Sequence, residues 1–211
     1  MTEELHKLGK LLGKENDADD YLNWYSQKKS NLSKALDKEA FTKVYIELSS
    51  KGGLNSLETP GKTNPLNAII TKAGGDNIAR SQSKSVAKVK WDWVASKNPD
   101  VIICMQSRDF TGWNAPPSID TVQLEIAKNE ISSRPGADGI SVVENDRIYF
   151  VPVDMLNGIK NVAGWTELAK IFHPKLDVDP GKVYAEYFER MGISYPKNRA
   201  FAYPESWIDK S

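Results

Sequence analysis

Apolar positions along the chain recur in two rhythms, one of three to four residues and one of two, and their alternation sets the expected architecture. Leu5, Leu8 and Leu12 stand at helical spacing ahead of Gly13, which predicts a first helix closed by a glycine. Asp17 is placed to cap a second, longer helix with the stripe Ala18, Tyr21, Leu22, Tyr25, Leu32 and Leu36, leaving Lys28, Lys29, Lys34 and Asp37 on the wet side. A long helix with so narrow a stripe reads either as a strut or as a surface helix packed on its own domain. Residues 41–48 (FTKVYIEL) alternate and are β-branched or aromatic, hence a strand. Residues 51–65 hold three glycines and two prolines and read as a long loop, of the kind that is functional or mobile in a compact domain. Leu66, Ile69 and Ile70 open a helix that Gly74 and Gly75 stop.

Residues 89–104 (VKWDWVASKNPDVIIC) organise the rest. Trp91, Trp93 and Val94 give a short helix, Asn98-Pro99-Asp100 ends it, and Val101-Ile102-Ile103-Cys104 is an apolar run short enough to be a strand covered on both faces. A helix predicted over 119–131 turns Val122, Ile126 and Leu124 inward. Residues 140–143 and 148–151 read as two strands joined by the turn Glu144-Asn145-Asp146, a hairpin. Val162, Trp165, Leu168, Ala169 and Phe172 mark one side of a later helix that His173-Pro174 closes. A short amphipathic helix follows over 183–191, and residues 195–211 read as a surface tail. Helices and strands alternate through the middle of the chain. The fold class expected is α/β: a three-layer Rossmann-like domain with a central, mostly parallel sheet, preceded by a long helix.

Composition narrows the function. The chain has 211 residues, 28 Lys and Arg against 28 Asp and Glu, 40% hydrophobic and 27% charged residues, ordinary values for a globular domain. No excess of positive charge points to nucleic acid. The single cysteine, Cys104, forms no internal disulfide and sits inside a strand, where a thiol is inert. No apolar run reaches the roughly 20 residues of a membrane span. The first residues (MTEELHKLGKLLGKEND) lack the apolar core of a signal peptide, so this sequence on its own is expected to stay in the cytoplasm unless an export signal has been removed.

Catalytic and metal motifs are largely absent. His6 and His173 lack metal-site spacing, and no metal or other cofactor is expected. G-x-S-x-G, P-loop and G-x-G-x-x-G patterns are absent, and Gly74-Gly75 follows a helix whereas phosphate-cradling glycines precede one. A Cys104–His173 nucleophilic pair has no third group to orient the histidine. Residues 105–117 differ: they follow the 101–104 strand, where open α/β sheets place their binding loops, and carry Arg108, Phe110, Trp113 and Asn114, a mixture suited to an aromatic or anionic small ligand. The same aromatics would serve equally to cap the core. Asp92 lies in the first turn of its helix, where the dipole favours a carboxylate; turned outward, it also offers a charge that a partner's arginine can grip.

Five blocks occur in the order found in one family. LGKLLGKENDADDYLNWY, LNAIITKAGGDNIA, VKWDWVASKNPDVII, VVENDRIYFVP and GWTELAKIFHP, from about Leu8 to Pro174, resemble the C-terminal part of periplasmic solute-binding proteins of the iron-siderophore and cobalamin type. The resemblance implies one lobe of an ABC-importer receptor. Residues 1–40 would be the end of an N-terminal lobe and the inter-lobe helix, and residues 41–211 the C-terminal ligand-binding lobe. It implies an ABC permease and a metal-chelate small molecule (iron-siderophore, haem or cobalamin-like) as partners, a missing N-terminal lobe across the cleft, and an extracytoplasmic parent without enzymatic activity. Asp92 matches the acidic residue that docks with permease arginines in the family, where glutamate is more usual. By loop position, the ligand-binding candidates are Arg108, Trp113, Asn114, Met155, Asn157, Asn55 and Ser56. Two rival expectations are an α/β enzyme or cofactor-assembly domain acting at the Arg108 loop, and an interaction module without a small ligand.

Overall fold

Thr42–Glu47 (β1), Gly75–Asn77 (β3), Val101–Cys104 (β5) and Ile148–Phe150 (β6) lie side by side in the order β3-β1-β5-β6, every pair parallel. These coordinates come from a computed structural model that describes residues 2–105, 111–112, 121–194 and 201–204. The reason for a central β5 is in its sequence: all four residues are apolar and all four are fully buried, as a strand with helices on both faces requires. Leu66–Lys72 (α3) and Asn161–Phe172 (α7) cover one face, packing with Leu32 on Val44, Ile46, Val101 and Ile103. Trp91–Lys97 (α4), Val122–Ser132 (α5) and Ser141–Glu144 (α6) cover the other, against Tyr45, Ile102 and Cys104. This is the expected three-layer α/β arrangement.

The opening helices are Thr2–Leu12 (α1) and Glu15–Leu36 (α2). Gly13 takes a φ of +63°, the left-handed turn that ends α1. Asp17 does not cap α2; the helix begins two residues earlier, and Asp17 falls in its first turn. The stripe of α2 includes Trp24, which the sequence reading passed over. Tyr21, Trp24 and Tyr25 share a cluster with Met155, Val162, Ala163 and, from Pro180–Arg190 (α8), Val183, Tyr184 and Phe188. A polar rail reinforces that seam. The Trp24 indole donates to Glu186 (2.7 Å), Lys28 donates to the same carboxylate (2.8 Å), and the Tyr25 hydroxyl donates to Asn161 Oδ1 (3.0 Å).

Two of the blocks quoted above turn out to be structural staples. Gly74, at φ +84°, carries the chain from α3 into β3, and its carbonyl meets His173 Nε2 at 3.2 Å. A Cβ on Gly75 would stand 2.7 Å from both Ile70 and the Phe172 ring, so the glycine pair is a close packing of α3, β3 and α7 rather than a phosphate cradle. In the Asn-Pro-Asp block, Asn98 adopts the left-handed conformation and its side chain accepts from the Ser141 amide (2.8 Å). Asp100 accepts from the Lys43 amide at the start of β1 (3.0 Å).

Four expectations are corrected. Residues 51–65 are not one loop: Leu57–Pro60 (β2) pairs antiparallel with Val86–Val89 (β4), and β2 is bridged to Ser49 after β1. Residues 140–151 are not a hairpin, because residues 141–144 form the single turn α6 and β6 pairs with β5 instead. On α5 the inward residues are Leu124 and Ile131; Val122 and Ile126 are more than half exposed. The tail is not merely superficial: Phe201 is 1% exposed and stacks on Tyr184 with ring centroids 5.0 Å apart. Tyr203 bridges to Phe150 through two backbone hydrogen bonds of 2.7 and 2.9 Å, extending the sheet past β6.

Candidate functional site

Because the four strands are parallel, the loops that leave β1, β5 and β6 emerge along one edge of the sheet, where α/β folds bind ligands. β1 ends there in Glu47, a carboxylate with no exposure at the last register position opposite Cys104. It is neutralised by Arg134, just past the end of α5, through two parallel bonds of 2.7 and 3.0 Å. The guanidinium also lies 5.0 Å over the Trp91 ring and 3.8 Å from Glu130. The Trp91 indole in turn donates to the Pro135 carbonyl (2.9 Å), and the Trp91 amide donates to the Leu54 carbonyl (2.8 Å). One buried charge pair thus joins the strand end, the loop after β1, the start of α4 and the end of α5.

Electrostatics follow from that burial. Desolvation opposes the Arg134 charge, but the hydrogen bonds and charge of Glu47 outweigh it and hold the guanidinium above its usual pKa. Burial first, and then the Glu47 charge, push the Cys104 thiol far up and raise the Tyr45 phenol as well, so neither ionises at neutral pH. Cys104 is the inert strand residue its position implied.

The sequence candidates fare unevenly. Arg108, Trp113 and Asn114 lie outside the described residues, as does Phe110. Thr111 and Gly112 are described and buried, and a Cβ on Gly112 would stand 2.8 Å from Pro152, so these two residues pack against the start of the loop after β6. Asn55 is exposed and Ser56 half-buried in the turn between β1 and β2, at the binding edge. Asn157 is exposed after β6 and donates to the Val153 carbonyl at 3.0 Å. Met155 is different: it is 1% exposed and belongs to the apolar seam under α2, which makes it a packing residue. Asp92 is exposed in the first turn of α4, and among the described residues no ion pair engages it. Only three residues separate α4 from the start of β5, so α4 runs back along the sheet and carries Asp92 toward the binding edge. Sequence reasoning missed Glu47 and Arg134. No local signal marks Glu47, which ends a strand that opens with the polar Thr42 and Lys43.

Among the described residues, no three His, Cys, Asp or Glu side chains converge as a metal ion would require, and no helix is long and apolar enough to cross a membrane. The fold is thus an α/β layer whose parallel sheet gathers the loops after β1, β5 and β6 on one edge, with the long helix α2 packed against α7 and α8. In agreement, the family model described as periplasmic binding protein matches residues 1–155, and the chain belongs to that family, whose members are transport solute-binding proteins. The TroA-like periplasmic binding protein FepB from Veillonella parvula superposes with a TM-score of 0.75 at 23% identity, over 92% of this chain and 58% of that one. A component of an ABC-type Fe3+-hydroxamate transport system from Saccharomonospora viridis gives 0.59 at 19% identity, over 82% and 55%. The molybdate periplasmic binding protein MolA of Haemophilus influenzae, solved with molybdate, gives 0.64 at 17% identity, over 92% and 56%. The chain spans between half and two thirds of the length of these relatives. No curated protein sequence matches it.

Proposed function

We propose that the chain is the C-terminal, ligand-binding lobe of an ABC-importer receptor for a metal chelate of the iron-siderophore, haem or cobalamin-like kind. The observation that carries this reading is the gathering of the loops after β1, β5 and β6 on one sheet edge, in a chain of the periplasmic binding protein family. Residues 1–40 act in it as the end of the N-terminal lobe and the inter-lobe helix. Ligand is held between this edge and a second lobe, with Asn55, Ser56, Asn157 and the Arg108, Trp113 and Asn114 loop as the contacts on this side. Relatives associated with Fe3+-hydroxamate transport support a chelate, in which the metal arrives with its own ligands and the protein supplies cations, amides and aromatics. A second lobe is also consistent with the apolar side of α1. Leu8, Leu11 and Leu12 are 49, 83 and 65% exposed, beside a cavity of about 420 Å³ bounded by Leu5, Tyr21, Ile159 and Met191. The parent works outside the cytoplasm and docks on its permease through Asp92.

The test is titration of the full-length parent with ferric siderophores, haem and cobalamin, followed by absorbance and tryptophan fluorescence, with molybdate as an oxyanion arm. Saturable binding of one chelate is expected. Silence with all three chelates, or binding of molybdate alone, removes the chelate assignment. For docking, Asp92→Ala in the intact receptor is expected to abolish permease binding while leaving ligand affinity unchanged.

A further inference from the structure

Charge is distributed unevenly over this molecule. Between Lys51 and Lys97 eight lysines and arginines accompany three carboxylates, in a chain whose totals are equal. The tertiary structure concentrates part of that excess on one surface. In β4 the burial pattern alternates, so Ala87 and Val89 enter the core while Val86 and Lys88 face out. Lys84 before the strand and Lys90 after it are exposed too. A side-chain period of two therefore sets Val86, Lys88 and Lys90 in one outward row, about 13 Å long, with Lys84 exposed in the bend that leads into it. Lys62 is exposed beside the start of the row, because its amide donates to the Gln82 carbonyl (2.7 Å) and the Gly61 amide to the Ser85 carbonyl (2.9 Å). The carboxylates on this side are few, and one of them, Glu58, stands within the ribbon itself. Glu58, across the ribbon from Lys88, is 3.9 Å from its ammonium and leaves the lysine side chain 66% exposed. Asp76 is paired with Arg80 at 3.0 Å. Asp92 begins α4 two residues beyond the end of the row.

We propose that this row is a contact surface for an anionic phospholipid bilayer. The two-stranded ribbon offers a surface rather than a groove, which suits a plane of headgroups better than a peptide. Its lysines match the headgroup charge, and Val86, 42% exposed between Lys84 and Lys88, can enter the interfacial layer. The location rests on the docking reading above: if Asp92 meets a permease, the adjoining lysines meet the lipid around it. Each lysine held near such a surface raises binding about fivefold, with attraction fading over a Debye length.

The experiment uses the chain itself and needs no permease. Flotation is measured with vesicles of phosphatidylcholine alone and with vesicles containing a third phosphatidylglycerol, at low and at high salt. Salt-sensitive binding to the anionic vesicles only is expected. The triple variant Lys84→Gln, Lys88→Gln, Lys90→Gln should weaken it about a hundredfold. A triple variant of equal net charge, Lys34→Gln, Lys38→Gln, Lys175→Gln, altered at other exposed lysines, should stay within about threefold of the unmodified chain. Absence of binding to anionic vesicles, or equal loss in the two triple variants, overturns the proposal. Asp92→Asn removes a carboxylate beside the row and should bind the anionic vesicles at least as tightly as the unmodified chain while losing permease docking, so failure of docking and failure of lipid contact are separately visible.

Discussion

Two ion pairs in this molecule make the same chemical contact in different surroundings. Glu47–Arg134 closes the binding edge with side chains 0 and 2% exposed, whereas Lys28–Glu186 ties α2 to α8 with side chains 19 and 26% exposed. In the first, both charges have left water, so each depends on the other, and losing one partner strands an uncompensated charge in the core. In the second, water still reaches both groups, and the pair adds little beyond the packing of Tyr21, Trp24 and Tyr25 around it. The first therefore fixes where the strand end, α4 and α5 stand relative to one another. The second only fastens a seam that apolar burial has already made.

Experiments can break this contrast, beginning with the largest effect. Arg134→Met should destabilise the chain by about 3–5 kcal/mol in urea unfolding, because the buried Glu47 carboxyl would lose its partner. Adding Glu47→Leu should recover most of that loss; a double variant as unstable as the single one would show that geometry, not charge, is what the pair supplies. Cys104, fully buried and opposite Glu47, should resist thiol reagents in the native chain and react fully in denaturant. In Arg134→Met its labelling should accelerate by the same factor as the lost stability if unfolding is the only route to it.

Glu186→Gln should cost about 1 kcal/mol or less at neutral pH. Burial opposes ionisation of Glu186, but the hydrogen bonds from Lys28 and Trp24 prevail and hold its pKa below the ordinary 4.5. Its contribution is therefore fully present above about pH 4.5 and is lost as pH falls through the depressed value, so the gap between variant and parent should close in acid. Smallest of all, Asp92→Asn should alter stability by about 0.5 kcal/mol, the loss of a favourable helix-dipole contact at an exposed site. A large loss there would mean that Asp92 is a structural residue and would count against the docking role proposed for it.

Much of the fold could be read from the chain. β5 declared itself by four consecutive apolar residues, α7 by its stripe and the His173-Pro174 stop, and the end of α3 by Gly74-Gly75. β3 did not, since Gly75, Asp76 and Asn77 have no strand propensity. They are extended because β1 offers them hydrogen-bonding partners and Asn77 is held by Pro60 and Asn67. Residues 140–143 read as a strand because valines favour one, but the Asn98 side chain accepts the Ser141 amide and residues 141–144 form a helical turn instead. On α5 two apolar stripes compete, and only the packing of Leu124 and Ile131 against the sheet decides between them. The candidate site was legible as a set of loops. Its floor was not, because nothing local tells a buried glutamate from a solvated one.

What the sequence determined by itself is the layered α/β order, the inertness of Cys104 and the family, since each depends on periodicity or on short blocks that keep their meaning locally. Only the tertiary structure decided that Glu47 meets Arg134 across 87 residues, that Met155 packs inward and that a row of lysines shares one face. Pairing across such separations is a property of how layers stack, and charge becomes costly or useful only once the surrounding water has been removed or left in place.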